Sequence, residues 1–115
     1  MDAPDSELEN LLISPEELAR RMKSGSELRL LDVRSDPEYQ ALHIEGSCLA
    51  TRKVVDELFS SWPKDAPIVL YDHFGGRGLE AARVLSMRGF TAVRALRGGI
   101  DAWSQEVDPL IPRYP

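Results

Sequence analysis

The chain has 115 residues, of which 43% are hydrophobic and 29% charged, and its formal net charge is −5 at pH 7. This length is typical of one globular domain that can bury enough surface to fold without disulfides or metals. The acidic balance argues against a nucleic-acid partner. The single cysteine, Cys48, and the lack of a signal-peptide pattern or an apolar run of transmembrane length predict a cytoplasmic protein without a membrane partner.

The first predicted elements follow an acidic leader, residues 1–10. A short strand is predicted over 11–13. The stretch from Ser14 to Glu17 then combines a capping hydroxyl, a proline at the first helical position and a glutamate at the third, which is typical of a helix start. We predict that this helix runs to about Lys23, where a glycine follows.

Strands and helices alternate along the rest of the chain. Further strands are predicted over 28–33, 47–50, 68–71 and 91–96, and further helices over 35–43, 51–62, 77–88 and 100–105. This alternation predicts an α/β three-layer domain with a central parallel sheet flanked by helices. The domain itself is predicted over 11–108, with an extended C-terminal tail over 109–115.

The stretch PIVLYDHFGGRG, residues 67–78, reads as a buried strand, a glycine-bearing loop and a helix start. Successive N–H groups of such a loop point inward, and the helix dipole adds partial positive charge, so the loop predicts an anion-binding site. Its residues are Asp72, His73, Phe74, Gly75, Gly76, Arg77 and Gly78.

Four sequence blocks resemble those of the rhodanese-like domains, sulfurtransferases whose active-site loop has the pattern C-x-x-G-x-R after a central parallel strand. The blocks are L-D-V-R-x-x-x-E-Y from Leu31, H-I-E-G from His43, the loop from Asp72 and G-G-x-x-x-W from Gly98. The resemblance implies that Asp32 and Arg34 support the wall of the site through ion pairing and backbone contacts. A loop salt bridge without function is the alternative for that pair. His43 is interpreted as a structural donor that holds a turn.

Matched to the family's loop, Gly75 and Arg77 fall on its glycine and arginine, but Asp72 stands at the position of the nucleophilic cysteine. In the family a thiolate takes a sulfane sulfur and carries it as a persulfide, which needs a soft nucleophile with a lowered pKa. A carboxylate cannot hold a persulfide. The resemblance therefore implies a domain without sulfurtransferase activity that serves as a binding, regulatory or sulfur-relay accessory module, with a sulfur-relay protein or a small anion as its partner.

Two alternatives stay open. The chain could be an enzyme that uses another residue, either Cys48 for sulfur transfer or Asp72 for phosphoryl transfer. Against these, we expect Cys48 to be a small buried hydrophobe, and the loop lacks the carboxylates that hold Mg²⁺ in aspartyl phosphatases. A partner protein could instead supply the missing cysteine. We expect no cofactor and no metal, because His43, His73 and one cysteine are too few for a metal cluster.

Overall fold

Local capping signals decide where the helices begin. In the computed structural model, which describes residues 9–112, the Ser14 hydroxyl accepts a hydrogen bond from the Glu17 N–H at 3.1 Å. Ser35 and Glu38 form a capping box, and the Thr51 hydroxyl accepts from the N–H three residues later. Because each cap satisfies N–H groups that the first helical turn leaves open, the helices start where these hydroxyls stand.

The strands and helices alternate as the sequence predicts. The described strands are β1 (Leu12–Ile13), β2 (Arg29–Asp32), β3 (Cys48–Leu49), β4 (Ile68–Tyr71) and β5 (Val93–Leu96). The helices are α1 (Pro15–Lys23), α2 (Asp36–Ala41), α3 (Arg52–Ser61), α4 (Gly76–Met87) and α5 (Gly99–Glu106).

The five strands form one sheet in the order β1-β5-β4-β2-β3, and every pairing is parallel. The predicted α/β domain with a central parallel sheet is therefore confirmed. In the register between β2 and β4, Asp32 lies opposite Tyr71. Because parallel strands end at the same edge, this register brings Asp32 beside the loop that begins at Asp72.

Each face of the sheet is covered by a separate hydrophobic cluster. On one face, Leu18 of α1 and Trp103 of α5 pack with Val69 and Tyr71. On the other face, side chains of α3 and α4, including Leu58, pack against the sheet. Trp103 is 6% exposed and thus anchors α5 in this core.

One hydrophobic residue of α3 lies at the edge of the cluster. Phe59 recurs at helical spacing with the buried Leu58 and its neighbours on this helix but is 36% exposed. Its ring meets the edge of Phe90 at 6.1 Å between centroids, and the Arg88 guanidinium lies 5.0 Å above it. Helical spacing identifies the side of α3 that faces the core. It does not show that Phe59 lies at the edge of the core, next to the end of α4.

Both predicted terminal segments extend beyond the described part of the chain. Residues 1–8 of the leader and 113–115 of the tail lie outside it. Within it, the tail turns at Asp108, which accepts a hydrogen bond from the Ile111 N–H at 3.1 Å, and Ile111 packs against the core. No helix among residues 9–112 is long and apolar enough to cross a membrane.

The prediction that Cys48 is buried is wrong, because its side chain is exposed. Cys48 lies in β3, which is the outermost strand and has only β2 beside it. The sequence predicts a strand here but does not show that this strand stands at the edge of the sheet.

We expect Cys48 to react with a thiol reagent such as Ellman's reagent in the folded protein at a rate within about tenfold of its rate in denaturant, because access limits a buried thiol and not an exposed one. The chain has one cysteine, so the colour released reports this residue alone. Folded protein that reacts about a hundredfold more slowly than denatured protein contradicts the exposed position.

Candidate functional site

The Asp72 carboxylate lies against the backbone N–H groups of the loop between β4 and α4, and we call the space that these N–H groups surround the cradle. Its Oδ1 accepts a hydrogen bond from the Gly75 N–H at 2.6 Å, and its Oδ2 accepts one from the Arg77 N–H at 2.8 Å. The side chain is buried, with 4% of the residue exposed. Gly75 has a φ of +112°, which favours glycine and turns the chain into the helix. The loop therefore already holds an anion, and that anion is part of the same chain.

The start of α5 forms two backbone hydrogen bonds with the loop. The Ile100 N–H donates to the Asp72 carbonyl at 2.9 Å, and the Asp101 N–H donates to the His73 carbonyl at 3.0 Å. Gly99 permits this approach, because an added Cβ would stand 2.5 Å from both carbonyl oxygens. Its φ of +63° also favours glycine.

Sequence reasoning missed this role of Gly99. It noted the paired glycines only as a turn and as part of a family block, and that pair is the sequence signal for the close approach. The loop is thus held between the starts of two helices, α4 and α5.

The rim of the loop is exposed. Phe74 is 61% exposed, and its ring stacks on His73 with centroids 3.9 Å apart. Arg77 is exposed as well, as the sequence predicts for a residue at the rim. Gly78 is buried beneath the loop, where an added Cβ would lie 3.3 Å from the Leu70 carbonyl oxygen. The surface beside the cradle therefore presents one aromatic ring and one cation.

Asp32 and Arg34 form a buried ion pair at the end of β2. The Arg34 Nη2 donates to Asp32 Oδ2 at 2.7 Å, and neither side chain has any exposed surface. The same nitrogen donates to the Leu42 carbonyl at 2.7 Å, which ties the end of α2 to the sheet. Because both groups are enclosed, the pair supports the surrounding backbone and does not reach the surface where a ligand would lie.

A buried hydroxyl network lies next to this pair. The Tyr71 hydroxyl accepts a hydrogen bond from the Ile44 N–H at 3.1 Å and lies 2.9 Å from the Ser47 hydroxyl. Burial raises the pKa of Tyr71. In the sequence, the one signal of this network is a tyrosine at the end of an apolar run.

His43 lies beside the end of α2, where it contacts Tyr39. Its Nδ1 lies 2.8 Å from the Tyr39 carbonyl oxygen, and its ring stacks on that of Tyr39 with centroids 3.9 Å apart. Nearby, hydrogen bonds from Ser35 lower the pKa of Glu38, and the charges of Arg34 and Arg77 act in the same direction. The rim cation Arg77 therefore lies within electrostatic range of α2.

No group of three or more His, Cys, Asp or Glu side chains among residues 9–112 is arranged to hold a metal ion.

Residues 14–106 match the family model described as the rhodanese-like domain. The chain belongs to the rhodanese-like domain family. The match covers all five strands and all five helices described above except β1.

Two relatives of this rhodanese-like domain differ in length. The chain is 35% identical over 104 residues to the probable adenylyltransferase/sulfurtransferase MoeZ of Mycobacterium tuberculosis, a match over 89% of this chain and 26% of that protein. It is 29% identical over 99 residues to a sulfurtransferase of Allochromatium vinosum, a match over 86% of this chain and 92% of that protein. The chain thus spans about a quarter of MoeZ and nearly all of the shorter relative.

A solved structure has the same fold. The rhodanese-like domain of an Anabaena protein is 25% identical to this chain and superposes with a TM-score of 0.73, covering 91% of this chain and 86% of that one. This domain is therefore related to sulfurtransferases in both sequence and fold.

Proposed function

We propose that this rhodanese-like domain does not transfer sulfur and serves as a binding, regulatory or sulfur-relay accessory module. One observation carries the proposal. Asp72, at the position of the family's persulfide-forming cysteine, places both carboxylate oxygens on the Gly75 and Arg77 N–H groups, at 2.6 and 2.8 Å.

This arrangement removes both requirements of sulfur transfer. The reaction needs a thiolate that can take up and release a sulfane sulfur, and a carboxylate has no such chemistry. It also needs N–H donors directed at the sulfur, and in this loop those two donors already bind the chain's own anion. Asp32 is paired with Arg34, and His43 contacts the Tyr39 carbonyl oxygen. These three side chains therefore support the backbone around the loop, although the loop has no cysteine.

Sulfur transfer through Cys48 is less well supported, although this thiol is exposed. Cys48 pairs with Leu31, which pairs in turn with Leu70, so the cysteine lies two strands away from β4. Two strand spacings amount to about 10 Å. Cys48 therefore lies too far from the Asp72 loop to use its N–H donors.

A protein partner fits the site better than a small anion. The cradle is filled by Asp72, whereas Phe74 and Arg77 are exposed beside it and could meet a protein surface. Two matched relatives are named as adenylyltransferases as well as sulfurtransferases. We therefore propose a sulfur-relay protein as the partner and the cytoplasm as the place of action, where a thiol such as that of Cys48 stays reduced.

The unmodified protein is expected to show only background rates in a thiosulfate:cyanide assay. A second experiment measures sulfate binding by NMR of the loop amides. Asp72→Asn removes the tethered charge, and we expect it to bind sulfate at least about tenfold more tightly than the wild type. Two unit charges about 4 Å apart repel by about 4 kcal/mol at the effective dielectric constant of about 20 that applies near a protein surface, which exceeds the 1.4 kcal/mol that a tenfold change requires.

Asp56→Asn is the matched control, because it changes the net charge equally from an exposed position on α3. Wild-type turnover above background disproves the proposal. Equal sulfate affinity in the wild type and Asp72→Asn shows that the carboxylate does not fill the cradle.

A further inference from the structure

A groove of about 630 Å³ lies at the opposite end of the sheet from the Asp72 loop. The first residues of β4 and the start of β5 line it, together with Leu28 just before β2. Its volume falls within the range of sites that bind small molecules. The groove therefore has the size of a ligand site but shares no residue with the loop.

The groove is lined by hydrophobic residues and by two arginines. Ile68, Phe90 and Val93 line the groove from one face of the sheet and Val69 from the other, and the half-buried Leu11 and Leu28 add further hydrophobic lining. Among residues 9–112, the charged residues that line the groove are two arginines, without an aspartate or glutamate. Arg21 is paired with Glu17 just outside the lining, so Arg94 contributes most of the positive charge at the groove, and this charge favours an anion.

The two arginines approach the groove from different elements. Arg94 pairs in register with Val69, so it lies on the sheet face that α1 covers. Its Nη1 lies 3.5 Å from the Leu12 carbonyl oxygen, a long contact. Arg21 comes from α1 and donates from Nη2 to Glu17 Oε2 at 2.9 Å. A guanidinium has five N–H donors, so these contacts leave donors on both side chains for a ligand.

The positive surface continues beyond the groove. A shallower depression lined by Arg20, Arg21, Lys23 and Ser24 adjoins it through the shared Arg21. The adjoining cations raise the local concentration of anions near the groove.

We propose that this groove binds a small organic carboxylate with an apolar body. The hydrophobic lining residues accept the apolar part, and the planar guanidinium groups of Arg21 and Arg94 match the geometry of a carboxylate head. Binding here is independent of the Asp72 loop and would give the domain a second, separate ligand site.

Titration of the labelled full chain with benzoate, followed by amide NMR, tests this assignment. We expect saturable shifts at residues 91–94 and at Leu28, and no saturable shifts at those amides with benzyl alcohol, which has the ring without the charge. Arg94→Gln and Arg21→Gln should each weaken benzoate binding about tenfold, because each removes a hydrogen bond to a charged group.

Arg97→Gln is the matched control, since Arg97 directly follows β5, at the opposite end of that strand, and is exposed. It should leave the affinity unchanged. The same spectra report whether each variant is folded, and Arg21 is partly exposed on α1, so at least this variant should fold. No saturable shift with benzoate, equal binding of benzyl alcohol, or undiminished binding by a folded Arg21→Gln variant overturns the assignment.

Discussion

Asp72→Cys is expected to give this rhodanese-like domain measurable thiosulfate:cyanide sulfurtransferase activity, at least about tenfold above the wild-type background. The new thiolate would face the Gly75 and Arg77 N–H groups that now hold the carboxylate. Those donors and the start of α4 should lower the thiol pKa below its free value of about 8.5 and stabilise the reacting sulfur. The loop geometry would then be sufficient for the reaction once a suitable nucleophile is present.

The variant should be made in a Cys48→Ser background, so that position 72 carries the one thiol of the chain. Mass spectrometry after incubation with thiosulfate should detect a persulfide, and Asp72→Ser serves as the control that cannot form one. Absence of a persulfide on a folded Asp72→Cys variant contradicts the expectation.

Two features of the loop should keep this activity weak. Gly78 has no side chain, so the start of α4 lacks a hydroxyl that could assist the anion. Phe74 places an exposed ring at the mouth of the loop. Restoring the hydroxyl has a cost, because a Cβ at Gly78 would lie 3.3 Å from the Leu70 carbonyl oxygen and the Tyr71 Cα, which must shift slightly.

The double variant Asp72→Cys, Gly78→Ser separates the causes of a failure. A persulfide in the double variant alone would show that the loop has lost a hydroxyl as well as its nucleophile. No persulfide in either variant would show that the cradle itself does not support sulfur chemistry.

Asp32→Asn is expected to lower the free energy of unfolding by about 3–5 kcal/mol. The change would remove the carboxylate that faces the Arg34 guanidinium at 2.7 Å, in a pair whose side chains are both fully enclosed. A buried charge that loses its partner costs far more than the pair itself contributes. The loss should also loosen the end of α2, which Arg34 holds through the Leu42 carbonyl.

Chemical denaturation at neutral pH measures this effect. Glu80→Gln is the matched control, because its partner Arg83 lies 3.5 Å away and both side chains are more than half exposed. That variant should change the free energy of unfolding by less than about 1 kcal/mol. A loss below about 1 kcal/mol for Asp32→Asn would mean that water reaches Arg34 and that the pair is not enclosed.

Several features of this protein follow from the sequence by itself. The caps at Ser14, Ser35 and Thr51 are set by hydrogen bonds that span only three residues, so the helices start where the local pattern predicts. The alternation of strands and helices was sufficient to predict the parallel sheet, because a helix between two strands provides the crossover connection that parallel strands need. The strand, glycine loop and helix around Asp72 were recognisable because the hydrogen bonds from the Gly75 and Arg77 N–H groups to the Asp72 carboxylate span only three and five residues.

Tertiary structure decided the features that depend on strand order and on contacts between distant segments. Cys48 is exposed because β3 stands at the edge, and a strand pattern does not state a strand's position in the sheet. Gly99 supports the Asp72 loop, and the Tyr71 hydroxyl binds the Ile44 N–H, only after the chain has folded. The groove below Arg94 likewise exists because β5 pairs with β4 under α1, an arrangement that local periodicity cannot specify.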